Sequence, residues 1–235
     1  MTPLLVPVVA LAFAVEAMLG FGATVIAVAL GALAVDVRVL LPAFVPVSVA
    51  LSLWIVARDR AHVDVRLLAR RVLPLMVLGL PVGLFAFRSL DEGVLRTVLG
   101  VVVVALALRE ILRIGRRAPA AVRAFALVAA GAVHGALGSG GPLVVWALGD
   151  RVADPRVLRA TLSALWLALN AVLLAAWAWD GRLNAASWSG AAWCAAGLVV
   201  GALVGDALHR RVNAARFGRL AWIALAVVGV GLVVR

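Results

Sequence analysis

The sequence predicts an all-α integral membrane protein: two inverted repeats, each a broken, re-entrant helical hairpin followed by three transmembrane helices. Three observations predict it. First, 66% of the 235 residues are apolar and only 14% are charged, with a mean hydropathy of +1.14; a soluble domain of this length needs far more polar surface to cover its core. Second, the charges fall in short stretches between apolar runs of bilayer-spanning length. Third, the chain repeats itself at an offset of 118 residues. Gly20 and Gly22 match Gly138 and Gly140, and Asp36, Arg38, Val39 and Leu40 match Asp154, Arg156, Val157 and Leu158. Gly79 and Gly83 match Gly197 and Gly201 at the same offset.

The first repeat covers residues 1–108, a linker covers 109–123, and the second repeat covers 124–235. Each repeat opens on an interrupted apolar segment. Residues 3–35 are far longer than the roughly 20 that one span needs, and they break at Gly20-Phe21-Gly22. Residues 124–149 break at Gly138-Ser139-Gly140-Gly141-Pro142, and the apolar piece after that break is too short to cross. Three ordinary spans then complete each repeat, at about 39–57, 72–87 and 94–108, and at 157–179, 185–207 and 220–234.

The arginines decide what the interrupted segments do. If each crossed once, the two sides would carry 12 and 10 arginines, which is no bias. If each is a hairpin returning to its starting side, 17 of the 22 fall on one side, which is then the cytoplasmic one by the positive-inside rule. The linker is cytoplasmic in this arrangement and both termini face outward. A hairpin plus three spans is an odd number of crossings, so the second repeat enters the membrane upside down. The expected location is the plasma or inner membrane, multi-pass.

Composition excludes several functions. All 22 basic residues are arginine, so there is no P-loop lysine and no Schiff-base lysine. The net charge of +11 belongs to loops that set orientation and meet anionic lipid, not to nucleic-acid binding. Cys194 is the single cysteine and cannot form an internal disulfide. No basic residue precedes Arg38, so no cleavable signal peptide is expected. Three scattered histidines, His62, His134 and His209, make no metal site. No nucleophile–base pair stands at a readable spacing, so no enzyme and no cofactor is expected.

Non-helical backbone at membrane depth is tolerated only where it is buried in protein or lines a cavity. The half-helix after each break offers unpaired N–H groups and the positive end of its dipole, which suit an anion. The candidate binding residues are therefore Gly20, Gly22 and Thr24 in the first repeat, and Gly138, Ser139, Gly140 and Gly141 in the second. Glu16 and His134 occupy equivalent positions four residues before each break; ionisable groups inside a membrane protein are candidates for carrying coupling protons. Asn170 is the strongest further candidate, because an Asn within a span is costly unless paired; Ser48, Ser52 and Ser163 are weaker, since serine often bonds its own helix. Asp36 and Asp154 read as helix N-caps, with Pro155 at a first helical position. The Gly79 and Gly197 series read as packing faces, and the eight tryptophans as interface anchors, Trp54 and Trp179 foremost.

At these glycines the chain resembles the TauE/SafE family of sulfite and organosulfonate exporters. Gly131, Gly135, Gly138, Gly140, Gly141 and Pro142 are similar to the glycine-rich stretch of that family, and Arg159-Ala160-Thr161-Leu162 to the segment after it. Gly20-Phe21-Gly22 and the stretch 57–64 fit more loosely, because the first repeat lacks the extra glycines and the proline. The resemblance implies ATP-independent export of a small, often sulfur-containing anion such as sulfite or an organosulfonate. A passive anion channel is the alternative, and a membrane scaffold or enzyme a more distant one. The expected partners are a small anionic solute and the lipid bilayer; a homo-oligomer is one further possibility.

Overall fold

The computed structural model describes residues 5–31, 35–112, 118–148, 151–152, 154–211 and scattered positions from 222 to 233. The middle of the linker and about half of the expected last span lie outside the described residues. Among those residues every regular element is helical. Five helices are long and apolar enough to cross a membrane: Val37–His62, Val65–Ser89, Ala120–Leu137, Pro155–Trp179 and Ala185–His209. The chain is an all-α membrane protein.

Both interrupted segments break where the glycines stand. The first is α1 (Leu5–Leu19) followed by α2 (Ala23–Gly31); the second is α7 (Ala120–Leu137) followed by α8 (Gly141–Leu148). Between them run α3 (Val37–Asp59), a short helical turn α4 (Val65–Leu67) that leads through a π turn into α5 (Leu73–Ser89), and α6 (Glu92–Ile111). After α8 come α9 (Pro155–Trp179) and α10 (Ala185–Arg211). The beginning of α7, at Ala120 and Arg123, and the end of α8, at Ala147 and Leu148, line one cavity. The second broken segment therefore turns back on itself.

Local chemistry sets the ends of these helices. Asp36 accepts from the N–H of Arg38 (2.6 Å) and Asp154 from that of Arg156 (2.8 Å), so both act as N-caps. Asn184 does the same for α10, accepting from Ala186 and Ser187. Pro42 and Pro46 lie inside α3 without ending it, which neighbouring helices make tolerable in a membrane bundle.

The packing is reciprocal between repeats. In the main contacts, α1 lies on α10, α7 lies on α5, and α3 lies on α9. Small residues let the backbones approach. A Cβ added at Gly79 would fall 1.9 Å from the Val128 carbonyl oxygen, and one at Gly83 the same distance from that of Ala132. In the other pair, a Cβ added at Gly201 or Gly205 would collide with the Ala10 or Ala14 carbonyl. The glycines of α5 and α10 are thus packing faces. Their equivalence differs from the sequence pairing: since Val128 matches Ala10, Gly79 corresponds to Gly201, not Gly197. The slip is four residues. One helical turn keeps the same face, so glycines repeating every four residues do not fix their own register.

The spans present apolar side chains outward, and a small set of polar side chains is enclosed within a largely apolar core. Leu78, Val82 and Phe85 on α5, and Val199 and Leu203 on α10, are exposed, while Glu16, Ser48, Ser52, His134, Asn170 and Arg159 are buried. That arrangement is stable against lipid and unstable against water. The tryptophans divide. Trp179 is exposed and Trp54 half-exposed, as interface anchors are, but Trp166 and Trp177 are buried in the core.

Candidate functional site

Each broken helix ends in the same way. The N–H of Gly20 bonds the Glu16 carbonyl, and that of Gly138 bonds the His134 carbonyl, both at 2.7 Å. Both glycines are left-handed, with φ of +83° and +63°, a conformation that costs other residues far more. This closing turn puts the side chains of Glu16 and His134 in the last turn before each break.

The two breaks lie against each other. A Cβ on Gly138 would approach Thr24 Cγ2 to 3.2 Å, and one on Gly141 would approach Phe21 Cβ to 2.8 Å. Between them is a cavity of about 20 Å³. Gly22 and Thr24 line it from the first repeat, and Gly138, Ser139, Gly140 and Gly141 from the second. Glu16, Ser48, His134, Trp166 and Asn170 complete the wall. Of the candidate binding and proton-carrying residues, Gly20 alone is not part of this wall; a Cβ placed on it would lie 2.7 Å from the Arg159 backbone. Ser52 and Ser163 are buried but do not line the cavity.

The two halves of the cavity differ in charge chemistry. The Glu16 carboxyl accepts the Ser48 hydroxyl at 3.3 Å and the backbone N–H of Ala23, in the first turn of α2. A carboxyl of the protein therefore already occupies one donor at that half-helix end. At the equivalent place in the second repeat stands His134, whose ring stacks on Trp166 with centroids 5.4 Å apart. His134 and Asn170 lie close enough for their side chains to interact, but neither ring nitrogen of His134 nor Oδ1 of Asn170 reaches good hydrogen-bond geometry among the described residues. Both line the cavity beside the start of α8, where buried polar atoms favour a further polar partner. The first helical bond of α8 runs from Val144 to Gly140. The N–H groups of Gly141 and Leu143 thus have no partner within the helix, and Pro142 has none to offer.

Trp166 escaped the sequence reading. It lines the cavity, stacks on His134 and donates its Nε1–H to the Gly20 carbonyl at 2.8 Å, joining α9 to the first break while touching the second.

Arg159, one of the arginines that the sequence assigns to the cytoplasmic side, is 3% exposed and backs directly onto Gly20. Its guanidinium bonds Asp59 (2.6 Å), Asp206 (3.2 Å) and the Ala17 carbonyl (2.8 Å). Arg58 also reaches Asp206 (3.0 Å), and His209 Nδ1 meets the Met18 carbonyl (2.7 Å). Two basic side chains thus hold the carbonyls at the C-terminal end of α1, where the dipole is negative. No group of three or more potential metal ligands occurs among the described residues.

A helical membrane bundle in which two broken helices meet around a buried polar cavity belongs to the class of solute transporters. The family model for the sulfite exporter TauE/SafE matches residues 5–232, nearly the whole chain, and the chain belongs to that family. No curated protein and no solved structure matches it.

Proposed function

We propose that this chain is a secondary transporter, working as an exporter, of a small sulfur-containing anion such as sulfite or an organosulfonate. The anion binds between the two breaks. The single observation that carries this reading is the convergence of both glycine breaks on one buried cavity lined by the start of α8, whose first N–H groups have no partner within the helix. The anion sits at the N-terminus of α8, held by the N–H groups around Gly140 and Gly141, with Ser139, Thr24 and the Asn170 amide completing its shell. Gly22 and the α2 end form the opposite wall, with Glu16 as the group that exchanges a coupling proton and His134 as its counterpart across the cavity.

The cavity size favours a carrier over a channel. A volume of about 20 Å³ is of the order needed for one water, so an oxyanion enters only when the surrounding helices separate. Reciprocal packing of α1 on α10 and α7 on α5 supports two related units that rock against each other, as inverted repeats do. In this reading both termini face away from the cytoplasm, in the plasma or inner membrane.

Flux into proteoliposomes tests the proposal with a panel of sulfite, thiosulfate, sulfonates and carboxylates. Uphill accumulation driven by a proton gradient is expected for a sulfur oxyanion. Downhill flux alone would establish a channel, and flux limited to carboxylates would overturn the substrate class.

A further inference from the structure

A second cavity, of about 210 Å³, opens between α5, α7 and the end of α8, well apart from the glycine breaks in its lining. Its walls are apolar, with Leu75, Leu127 and Leu148 among them, yet three arginines line it: Arg71, Arg123 and Arg151. None of its lining residues is acidic. Arg123 is anchored there by a bond from Nε to the Ala118 carbonyl at 3.1 Å. A fourth guanidinium, Arg109, stacks over Trp146 on the same half-helix with its carbon 4.4 Å from the ring centre.

We propose that this cavity is a binding site for an anionic phospholipid, the phosphate held by Arg71, Arg123 and Arg151 and an acyl chain lying along the leucine wall. Charge complementarity selects the headgroup, because basic pockets between membrane helices attract anionic lipid near the surface. The apolar lining selects the amphiphile over a free anion, which gains nothing from leucine side chains and loses hydration against them. The volume, some ten times that of the cavity at the breaks, holds the upper part of a lipid. The site is independent of the transported anion. It does touch the far end of α8, so a bound lipid braces the half-helix whose N-terminus lines the first cavity.

The test is lipid retention and thermal stability of the full chain, purified in detergent, with phosphatidylglycerol or phosphatidylcholine added. Inorganic phosphate alone is the free-anion arm. Phosphatidylglycerol should be retained preferentially and should raise the melting temperature, with affinity falling roughly fivefold for each arginine among Arg71→Gln, Arg123→Gln and Arg151→Gln. A charge-matched control, Arg60→Gln, Arg66→Gln and Arg70→Gln, should keep the preference. Ala124→Phe should weaken lipid retention without removing charge. Equal retention of the two lipids, or equal loss in the control, would overturn the site. Protection by inorganic phosphate equal to that by phosphatidylglycerol would replace it with a free-anion site.

Discussion

Glu16 and His134 stand at equivalent positions in the two repeats, but their surroundings differ, and the difference assigns them different work. Glu16 accepts from Ser48 and from the Ala23 N–H. A Gln side chain at 16 retains an acceptor for both donors and loses only the exchangeable proton. Glu16→Gln should therefore still transport down a gradient, while the response of flux to a transmembrane pH difference disappears; an unchanged pH response would remove Glu16 from the coupling. Arg159 acts on stability. Arg159→Ala removes the guanidinium bonded to Asp59, Asp206 and the Ala17 carbonyl and leaves Asp206 to Arg58, and breaking such a buried group costs about 3–5 kcal/mol. A markedly lower melting temperature in detergent is expected, and a value equal to wild type would show the network to be ornamental. That Glu16 and His134 line a buried cavity was legible in the sequence, because an ionisable side chain inside an apolar run needs an enclosed polar setting. The burial of Arg159 was not. It stands at the start of a span next to a basic stretch, and only the approach of α1 turns it from a loop charge into a buried one.

Among the elements, the broken helices were the most legible, since glycine pairs interrupt apolar runs and nothing else in those runs would. What the sequence could not supply was which side chains fill the space around them. Gly140 and Gly141 illustrate this. A Cβ at Gly140 would lie 2.5 Å from the Ala130 carbonyl, and one at Gly141 2.8 Å from Phe21 Cβ. Valine at either place disrupts protein packing as well as ligand access, so these variants do not isolate binding. Trp166→Phe is more informative. The ring stack on His134 persists while the bond to the Gly20 carbonyl is lost, which should lower stability by about 1 kcal/mol and increase hydrogen exchange at residues 20–22. Unchanged exchange there would mean the first break is held by other contacts. The α5–α7 interface has a sharper expectation. Gly79→Leu drives a side chain into the Val128 carbonyl and forces the backbones apart, which should abolish recovery of folded, monodisperse protein. Gly93→Ala, with open space around it, should be recovered normally. Equal recovery of both would contradict the close packing.

At the scale of the whole molecule, charge and periodicity go far because a bilayer restricts the choices. Apolar length marks out candidate spans, and the distribution of 22 arginines is the argument from sequence for one topology. The 118-residue offset relates the two halves in sequence, but the pairing of helices between the halves, α1 with α10 and α7 with α5, is a matter of tertiary packing that no local pattern encodes. Topology is open to labelling in a Cys194→Ser background. A cysteine at Ala61 should react only from the cytoplasm and one at Gly93 only from outside; the reverse would invert the assignment. The central claim, that one anion binds between the two breaks, is tested most directly by the concentration dependence of sulfite flux in proteoliposomes carrying Thr24→Val together with Ser139→Ala. Both changes nearly conserve volume while removing hydroxyls that line the cavity. Hydrogen bonds to a charged ligand contribute about 1.5–3 kcal/mol, so half-saturation should rise roughly tenfold or more in protein that inserts and melts like wild type. A half-saturation concentration equal to that of wild type would place the anion somewhere else.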